Sequence, residues 1–209
     1  MLGDLRICCV GDSFVAGVGD PRCLGWVGRL GASAHADGFA PTLYNLGVRR
    51  QTSVDIAERW LGECEQRLPS GTDAAVVLSF GVNDTSWEDG GPRVDPARSA
   101  ESLARMLREA TARGWRVLAV APPPVADPDH NARSAALDES FAEICASTAV
   151  PYVRIHHALR ASPVWMREVR AGDGAHPGAG GYDILAELIE PQWREWLSGW
   201  NSLESVSDV

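Results

Sequence analysis

A serine shortly after the first apolar run is the first residue whose position suits catalysis. Ser13 comes after residues 5–10, Gly11 and Asp12, so a buried strand is expected to end just before its hydroxyl. Free backbone N–H groups at the start of the next segment can bind an anion, and an exposed hydroxyl beside them suits nucleophilic attack. The alternative is an N-cap serine that only satisfies backbone donors.

A serine nucleophile needs a base, and the base needs a group that orients it. Asp173 lies three residues before His176 in a glycine-rich segment, so one loop could supply both groups. The carboxylate could hold one ring N–H and stabilise the imidazolium that forms on proton transfer. A turn followed by a helix that Pro177 initiates explains the glycines and the proline, but not the histidine.

Two further ends of apolar runs offer donors for an oxyanion. Gly47 ends the second run, where a glycine lets a backbone N–H approach a ligand closely. Asn83 follows the third run and can donate from its side-chain amide. Removing one such donor costs roughly 3 kcal/mol of transition-state stabilisation. The alternatives are a tight turn at Gly47 and an Asx turn at Asn83 and Asp84.

These residues lie in a regular alternation of strand and helix patterns. Near-continuous apolar runs, typical of parallel strands buried on both faces, occupy residues 5–10, 43–46, 74–80, 117–121 and 151–155. Helical spacing with cap or stop signals occupies residues 24–36, 53–68, 95–114, 137–145 and 177–196. The pattern predicts an α/β fold, a three-layer α/β/α sandwich with about five parallel strands. Sites in such sheets form where loops leave the carboxyl ends of the strands.

Length and composition narrow the classes of protein. The 209 residues predict a single domain over residues 1–200 and a polar, flexible tail over residues 201–209. The net charge of −9 argues against nucleic acid or an anionic membrane surface as the partner. No apolar run approaches the ~20 residues of a spanning helix, and a signal-peptide pattern is missing, so a cytoplasmic protein is expected. Five cysteines without a C-x-x-C pair predict reduced thiols and no cysteine-based zinc site.

Taken together, four blocks of this sequence resemble the SGNH hydrolases, also called the GDSL-type esterase/lipase family. The blocks are residues 11–14, Gly47, residues 81–84 and residues 173–177. They occur in the family's order and spread over about residues 5–198, nearly the whole chain. The resemblance implies a flavodoxin-like sandwich with five parallel strands.

The resemblance also implies a reaction. Ser13 would be the nucleophile, His176 the base and Asp173 its partner in a serine hydrolase that cleaves carboxylic esters or thioesters through an acyl-enzyme. No metal or organic cofactor would be required, and the partner would be a small-molecule ester. Little chain remains beyond the core fold, which favours small soluble esters over long-chain lipids.

The same resemblance assigns roles to the residues around the triad. The oxyanion hole would consist of the Ser13 N–H, the Gly47 N–H and the Asn83 side chain, while Asp12 and Asp84 would brace the loops.

One departure from the family pattern follows Gly47. Arg49 and Arg50 stand where the family often has a second glycine. Two alternatives follow: one of the two arginines contacts a polar or anionic part of the substrate, or both are solvated surface residues. Trp87 and Trp165 are predicted in loops near the same edge, where either could line an acyl pocket or simply pack.

Other functions remain open at this stage. The same machinery could remove acetyl groups from a carbohydrate or natural product, or transfer the acyl group if water were excluded. A non-catalytic binding module and a metal phosphoesterase are alternatives from other classes; the latter predicts sensitivity to chelators. Residues 127–130 could form a metal cluster but are explained more simply as a turn and the start of a helix.

Overall fold

The computed structural model of this chain describes residues 3–204, with side chains through residue 199. Its strands are β1 (Leu5–Gly11), β2 (Thr42–Gly47), β3 (Asp73–Ser79), β4 (Trp87–Glu88), β5 (Gly91–Pro92), β6 (Arg116–Val120) and β7 (Tyr152–Val153). Its helices are α1 (Gly25–Ala36), α2 (Ser53–Glu65), α3 (Pro96–Ala112), α4 (Pro128–Ser147), α5 (His156–Ala161), α6 (Pro163–Ala171) and α7 (Ala179–Glu204).

The central sheet has five parallel strands in the order β2-β1-β3-β6-β7, which confirms the predicted fold class. The chain runs from β1 outward to β2 and then returns past β1 to β3, so the strand order reverses beside β1. Ligands in open parallel sheets bind outside the carboxyl ends of the strands at such a reversal. The loop that carries Ser13 begins at this point.

Apolar side chains cover both faces of the sheet because the strand residues alternate between them. Ile7 and Cys9 of β1 join a core that includes Trp26 of α1 and Trp193 of α7. Cys8 and Val10 face the opposite core, with residues of α2, α3 and α4. The structure is therefore a three-layer sandwich. The two cysteines of β1, Cys8 and Cys9, are free thiols buried in its cores.

Side-chain caps fix where several helices begin. Thr52 and Asp55 form a capping box at the start of α2, and Asp95 accepts a backbone hydrogen bond at the start of α3. Asp127 accepts from the N–H groups of Asp129 and His130. Residues 127–130 are thus the beginning of α4, and no group of three potential metal-ligating side chains occurs in the part of the chain that the structure describes.

Two expectations about elements differ from the structure, and one hairpin has no counterpart in the sequence pattern. Trp165 lies in α6, not in a loop, because Ser162 caps that helix and Pro163 occupies its first turn. The hairpin of β4 and β5 has only two residues per strand, too few to show a period-2 pattern in the sequence. Helix α7 continues to Glu204, so the first four residues of the predicted tail are helical, while residues 205–209 lie outside the described residues.

Among the described helices, none combines the length and the apolar character that crossing a membrane requires.

Candidate active site

Ser13, His176 and Asp173 form a hydrogen-bonded chain at the carboxyl edge of the sheet. The Ser13 Oγ lies 2.7 Å from His176 Nε2, and His176 Nδ1 lies 2.7 Å from an Asp173 carboxylate oxygen. The order of atoms suits proton transfer from the hydroxyl to the imidazole, with the carboxylate stabilising the charge that forms on the ring. The structure thus brings together the three residues that the sequence predicts.

The Asp173 carboxylate is oriented by the backbone of its own turn. Its second oxygen accepts hydrogen bonds from the N–H groups of Ala175 (3.0 Å) and His176 (2.9 Å). Burial alone would raise the pKa of Asp173, but the hydrogen bonds from the backbone and ring of His176 and from Ala175 hold that pKa at about 2. The carboxylate therefore stays ionised at neutral pH.

Aromatic rings support the imidazole from behind. The ring of Phe14 lies 4.8 Å from that of His176 and is stacked on Trp165, with 6.3 Å between centroids. Trp165 is completely buried, and its indole N–H donates to the carbonyl of Pro124 at 2.9 Å. Of the two alternatives for Trp165, lining an acyl pocket or packing, its burial favours packing.

Two donors remain for a negative charge that develops beside Ser13. The Ser13 N–H has no hydrogen-bond acceptor among the described residues. The Asn83 amide donates one N–H to the Gln51 carbonyl at 2.9 Å, which leaves its second N–H for a ligand. Ser13 and Asn83 follow β1 and β3, which are neighbours in the sheet.

The Gly47 N–H, which the resemblance assigns to the oxyanion hole, has an acceptor within the protein. Successive N–H groups of a strand point in opposite directions, and the Val48 N–H points towards β1, where it donates to Gly11. The Gly47 N–H donates to the Asn45 side chain at 3.0 Å, and the amide of Asn45 donates in turn to the Val15 carbonyl at 2.7 Å. Gly47 instead permits close packing, since a Cβ there would lie 2.2 Å from the Ala16 nitrogen.

Asp12 and Asp84 are buried and hold backbone groups of the site loops. Asp12 accepts from the Phe14 N–H at 2.9 Å, and Asp84 accepts from the Ser53 N–H at 2.7 Å. Burial, reinforced by the nearby Asp84 carboxylate, raises the pKa of Asp12 to about 7, although the Phe14 N–H opposes the shift. Burial also raises the pKa of Asp84.

The turn of residues 48–51 connects two of the site loops. It begins where the Val48 N–H donates to the Gly11 carbonyl at 3.0 Å, and it ends at Gln51, whose carbonyl holds the Asn83 amide. Arg50, between these two anchors, has a φ of 65°, in the left-handed region that a bulky side chain rarely adopts. Its guanidinium is exposed to solvent.

Arg59 of α2 is a residue of this region that the sequence reasoning missed. One nitrogen of its guanidinium donates to the carbonyls of Gly11 (3.0 Å) and Leu46 (2.9 Å), and its Nε donates to the Gln51 side chain. Arg59 therefore ties the ends of β1 and β2 to the turn of residues 48–51. An arginine in an amphipathic helix carries no local sign of this role.

The remaining predicted contact residue, Trp87, lies on the hairpin that follows Asn83. Trp87 is 58% exposed, and the guanidinium of Arg133 lies over its ring at 5.3 Å. His130, on the same helix as Arg133, contacts the carbonyl of Val82 at 2.9 Å and so supports the same loop.

We predict that Arg50→Gly stabilises the protein by about 1 kcal/mol, because glycine adopts a positive φ without steric cost. Arg49→Gly is the matched control; Arg49 has no positive φ, so this change should destabilise by about 0.5–1 kcal/mol. Urea unfolding of both variants measures the difference. A destabilised Arg50→Gly protein would contradict the prediction.

We predict that Gly47→Ala destabilises the protein by roughly 1–3 kcal/mol, because the new methyl group would clash with backbone atoms of Ala16 and Asp12. Gly62→Ala is the control, since nothing lies within 4 Å of its added Cβ and the helix should gain stability. Thermal unfolding of the two proteins separates close packing from a general effect of replacing glycine. Equal melting temperatures would argue against the close approach at Gly47.

We predict a pH dependence of stability that arises from Asp12. Its folded pKa of about 7 lies above the ordinary unfolded value of about 3.9, so its contribution to stability is present below pH 4 and is lost as the pH rises through 7. Asp12→Asn keeps the acceptor for Phe14 and removes this dependence. The stability of the variant relative to wild type should therefore increase between pH 5 and pH 8, as measured by urea unfolding. Parallel profiles would show that Asp12 does not titrate in this range.

Comparisons with known proteins identify the family and the fold of this chain. The sequence model of the GDSL-like Lipase/Acylhydrolase family matches residues 9–184. The lipase/acylhydrolase from Enterococcus faecalis is 26% identical, with a TM-score of 0.72, over 90% of this chain and 94% of that one. No curated protein gives a significant match.

Two further solved structures share the fold at lower identity. TesA is 23% identical with a TM-score of 0.75, over 91% of this chain and 99% of its own. Axe2, an acetylxylan esterase from Geobacillus stearothermophilus, is 16% identical with a TM-score of 0.72, over 92% and 95% of the two chains. With the family match extending over most of its length, the chain belongs to the GDSL-like lipase/acylhydrolase family.

Proposed function

We propose that this protein hydrolyses carboxylic esters, thioesters included, of small acyl substrates. The observation that carries the proposal is the chain of two 2.7 Å hydrogen bonds from Ser13 through His176 to Asp173. Membership of the acylhydrolase family supports the same class of reaction.

In the first half of the reaction, the Ser13 Oγ attacks the carbonyl carbon while His176 Nε2 takes its proton. The oxygen of the tetrahedral intermediate accepts hydrogen bonds from the Ser13 N–H and the second Asn83 amide N–H. Asp173, ionised because its pKa is about 2, stabilises the imidazolium. The intermediate collapses to an acyl-enzyme as His176 returns the proton to the leaving alcohol or thiol.

In the second half, His176 takes a proton from water, whose oxygen attacks the acyl carbonyl. The second tetrahedral intermediate breaks the bond to Ser13, His176 protonates the serine oxygen, and the acid is released. The same donors stabilise both intermediates, because both develop charge on the same oxygen.

The loops around the site favour small substrates. The connections after β1, β2 and β6 occupy residues 12–24, 48–52 and 121–127, and residues 80–95 contain only the short hairpin of β4 and β5, so no long insertion in the described part of the chain covers the site. Deacetylation of a carbohydrate is a second candidate, and the exposed ring of Trp87, in the hairpin that follows Asn83, favours it because a sugar ring can stack on an aromatic side chain. Axe2, which shares the fold, is by its name an acetylxylan esterase.

We predict that Ser13→Ala lowers kcat for 4-nitrophenyl acetate by at least about 10⁴-fold while the protein stays folded, because the nucleophile is lost. Ser147→Ala, at an exposed serine near the end of α4, is the matched control and should keep full activity. Circular dichroism and thermal unfolding establish that both variants fold. A folded Ser13→Ala protein with the wild-type rate would exclude the mechanism.

The wild-type chain-length profile tests the substrate class. Rates with 4-nitrophenyl acetate, butyrate and palmitate should fall with length, and release of acetate from acetylated xylan tests the second candidate directly. A protein that hydrolyses no ester and does not react with a fluorophosphonate at Ser13 would contradict the proposed function.

A further inference from the structure

We infer that Arg50 recognises an anionic group, a carboxylate or a phosphate, on the ester that this protein hydrolyses. The inference rests on the proposed function and specifies the class of its substrate.

The position of Arg50 follows from the two anchors of its turn. The turn starts at Val48, hydrogen-bonded to Gly11 two residues before Ser13, and it ends at Gln51, hydrogen-bonded to the Asn83 amide. Arg50 therefore lies between the loop of the proposed nucleophile and the proposed oxyanion donor. A group attached to a bound ester within a few bonds of the carbonyl would pass close to this turn.

The charge of Arg50 is poorly neutralised by the protein itself. Its side chain is 80% exposed, and Glu88 is the only carboxylate within 4.0 Å of its guanidinium among the described residues. Glu88 also pairs with Arg93 at 3.6 Å, so two guanidinium groups share one carboxylate. Arg49, next in the turn, adds a second exposed cation. This positive rim occurs in a chain whose net charge is −9, so it is a local feature.

The backbone conformation supports a role for the side chain. A φ of 65° is unfavourable for arginine and costs nothing for glycine. Residues held in such conformations cluster at active sites and ligand clamps, where the surrounding structure holds the backbone in place. The planar guanidinium also matches the geometry of carboxylate and phosphate oxygens, which it can bind in a bidentate manner.

The experiment compares anionic and neutral esters of the same shape. One pair, 4-acetoxybenzoate and its methyl ester, places the carboxylate on the leaving group. The other pair, the mono-4-nitrophenyl ester of adipic acid and its methyl ester, places it on the acyl chain. The readout is the ratio of kcat/KM for the anionic ester to that for the neutral ester, in which differences of intrinsic reactivity cancel between variants.

Three substitutions separate charge from backbone. Arg50→Gln removes the charge and keeps the side chain, Arg50→Gly removes both charge and strain, and Arg50→Lys keeps the charge. We expect the first two to lower the ratio about fivefold for one of the pairs, and Arg50→Lys to keep most of it. Arg108→Gln, at an exposed arginine of α3 paired with Glu101, is the control and should leave the ratio unchanged. Raising the ionic strength from about 0.05 M to about 0.5 M should reduce the preference of the wild type.

Two results would overturn the inference while ester hydrolysis stands. One is a ratio that no substitution changes in either pair. The other is a ratio that falls in Arg50→Gln but not in Arg50→Gly, because both changes remove the charge. A wild-type protein that hydrolyses none of the four esters and does not react with a fluorophosphonate would overturn the proposed function together with the inference.

Discussion

The hydrogen bond between Ser13 and His176 is the contact on which the site depends, and it joins residues 163 positions apart in the chain. Its geometry requires the loop after β1 and the start of α7 to be held together. The Tyr182 hydroxyl of α7 donates to the Val18 carbonyl at 2.8 Å, and Arg29 of α1 forms ion pairs with Asp20 and Asp183. These partly buried contacts link the two segments on either side of the hydrogen bond, so stability of the fold and geometry of the site share the same interactions.

Two carboxylates close to the site experience opposite environments. Asp173 receives several hydrogen-bond donors, which hold its pKa at about 2, so it remains charged beside the imidazole. Asp12 has one backbone donor and a neighbouring carboxylate in a buried position, and its pKa rises to about 7. The depth of burial and the number of donors together therefore decide whether each carboxylate stays charged at neutral pH or titrates near it.

The oxyanion side of the site depends on how closely strands and loops approach each other. Gly47 allows the edge of β2 to pack against the loop of Ser13, and Arg59 ties the ends of β1 and β2 to the next turn. That turn then holds Asn83 through the Gln51 carbonyl. The exposed side chain of Arg50 extends from the same turn, so a single segment both holds the proposed oxyanion donor and carries an exposed cation.

The sequence by itself determined the five parallel strands and most helix starts. It also singled out Ser13, His176 and Asp173, the three residues that the fold joins by hydrogen bonds. Apolar runs, N-caps and turn residues are local signals, because each depends on residues that are only a few positions apart. Tertiary structure decided the direction of the Gly47 N–H, the burial of Trp165 and the contacts of Arg59. Strand pairing sets which way each N–H points, and packing of distant helices sets which side chains are covered. Neither strand pairing nor helix packing can be recognised from the neighbouring sequence, because each arises only when segments far apart in the chain come together.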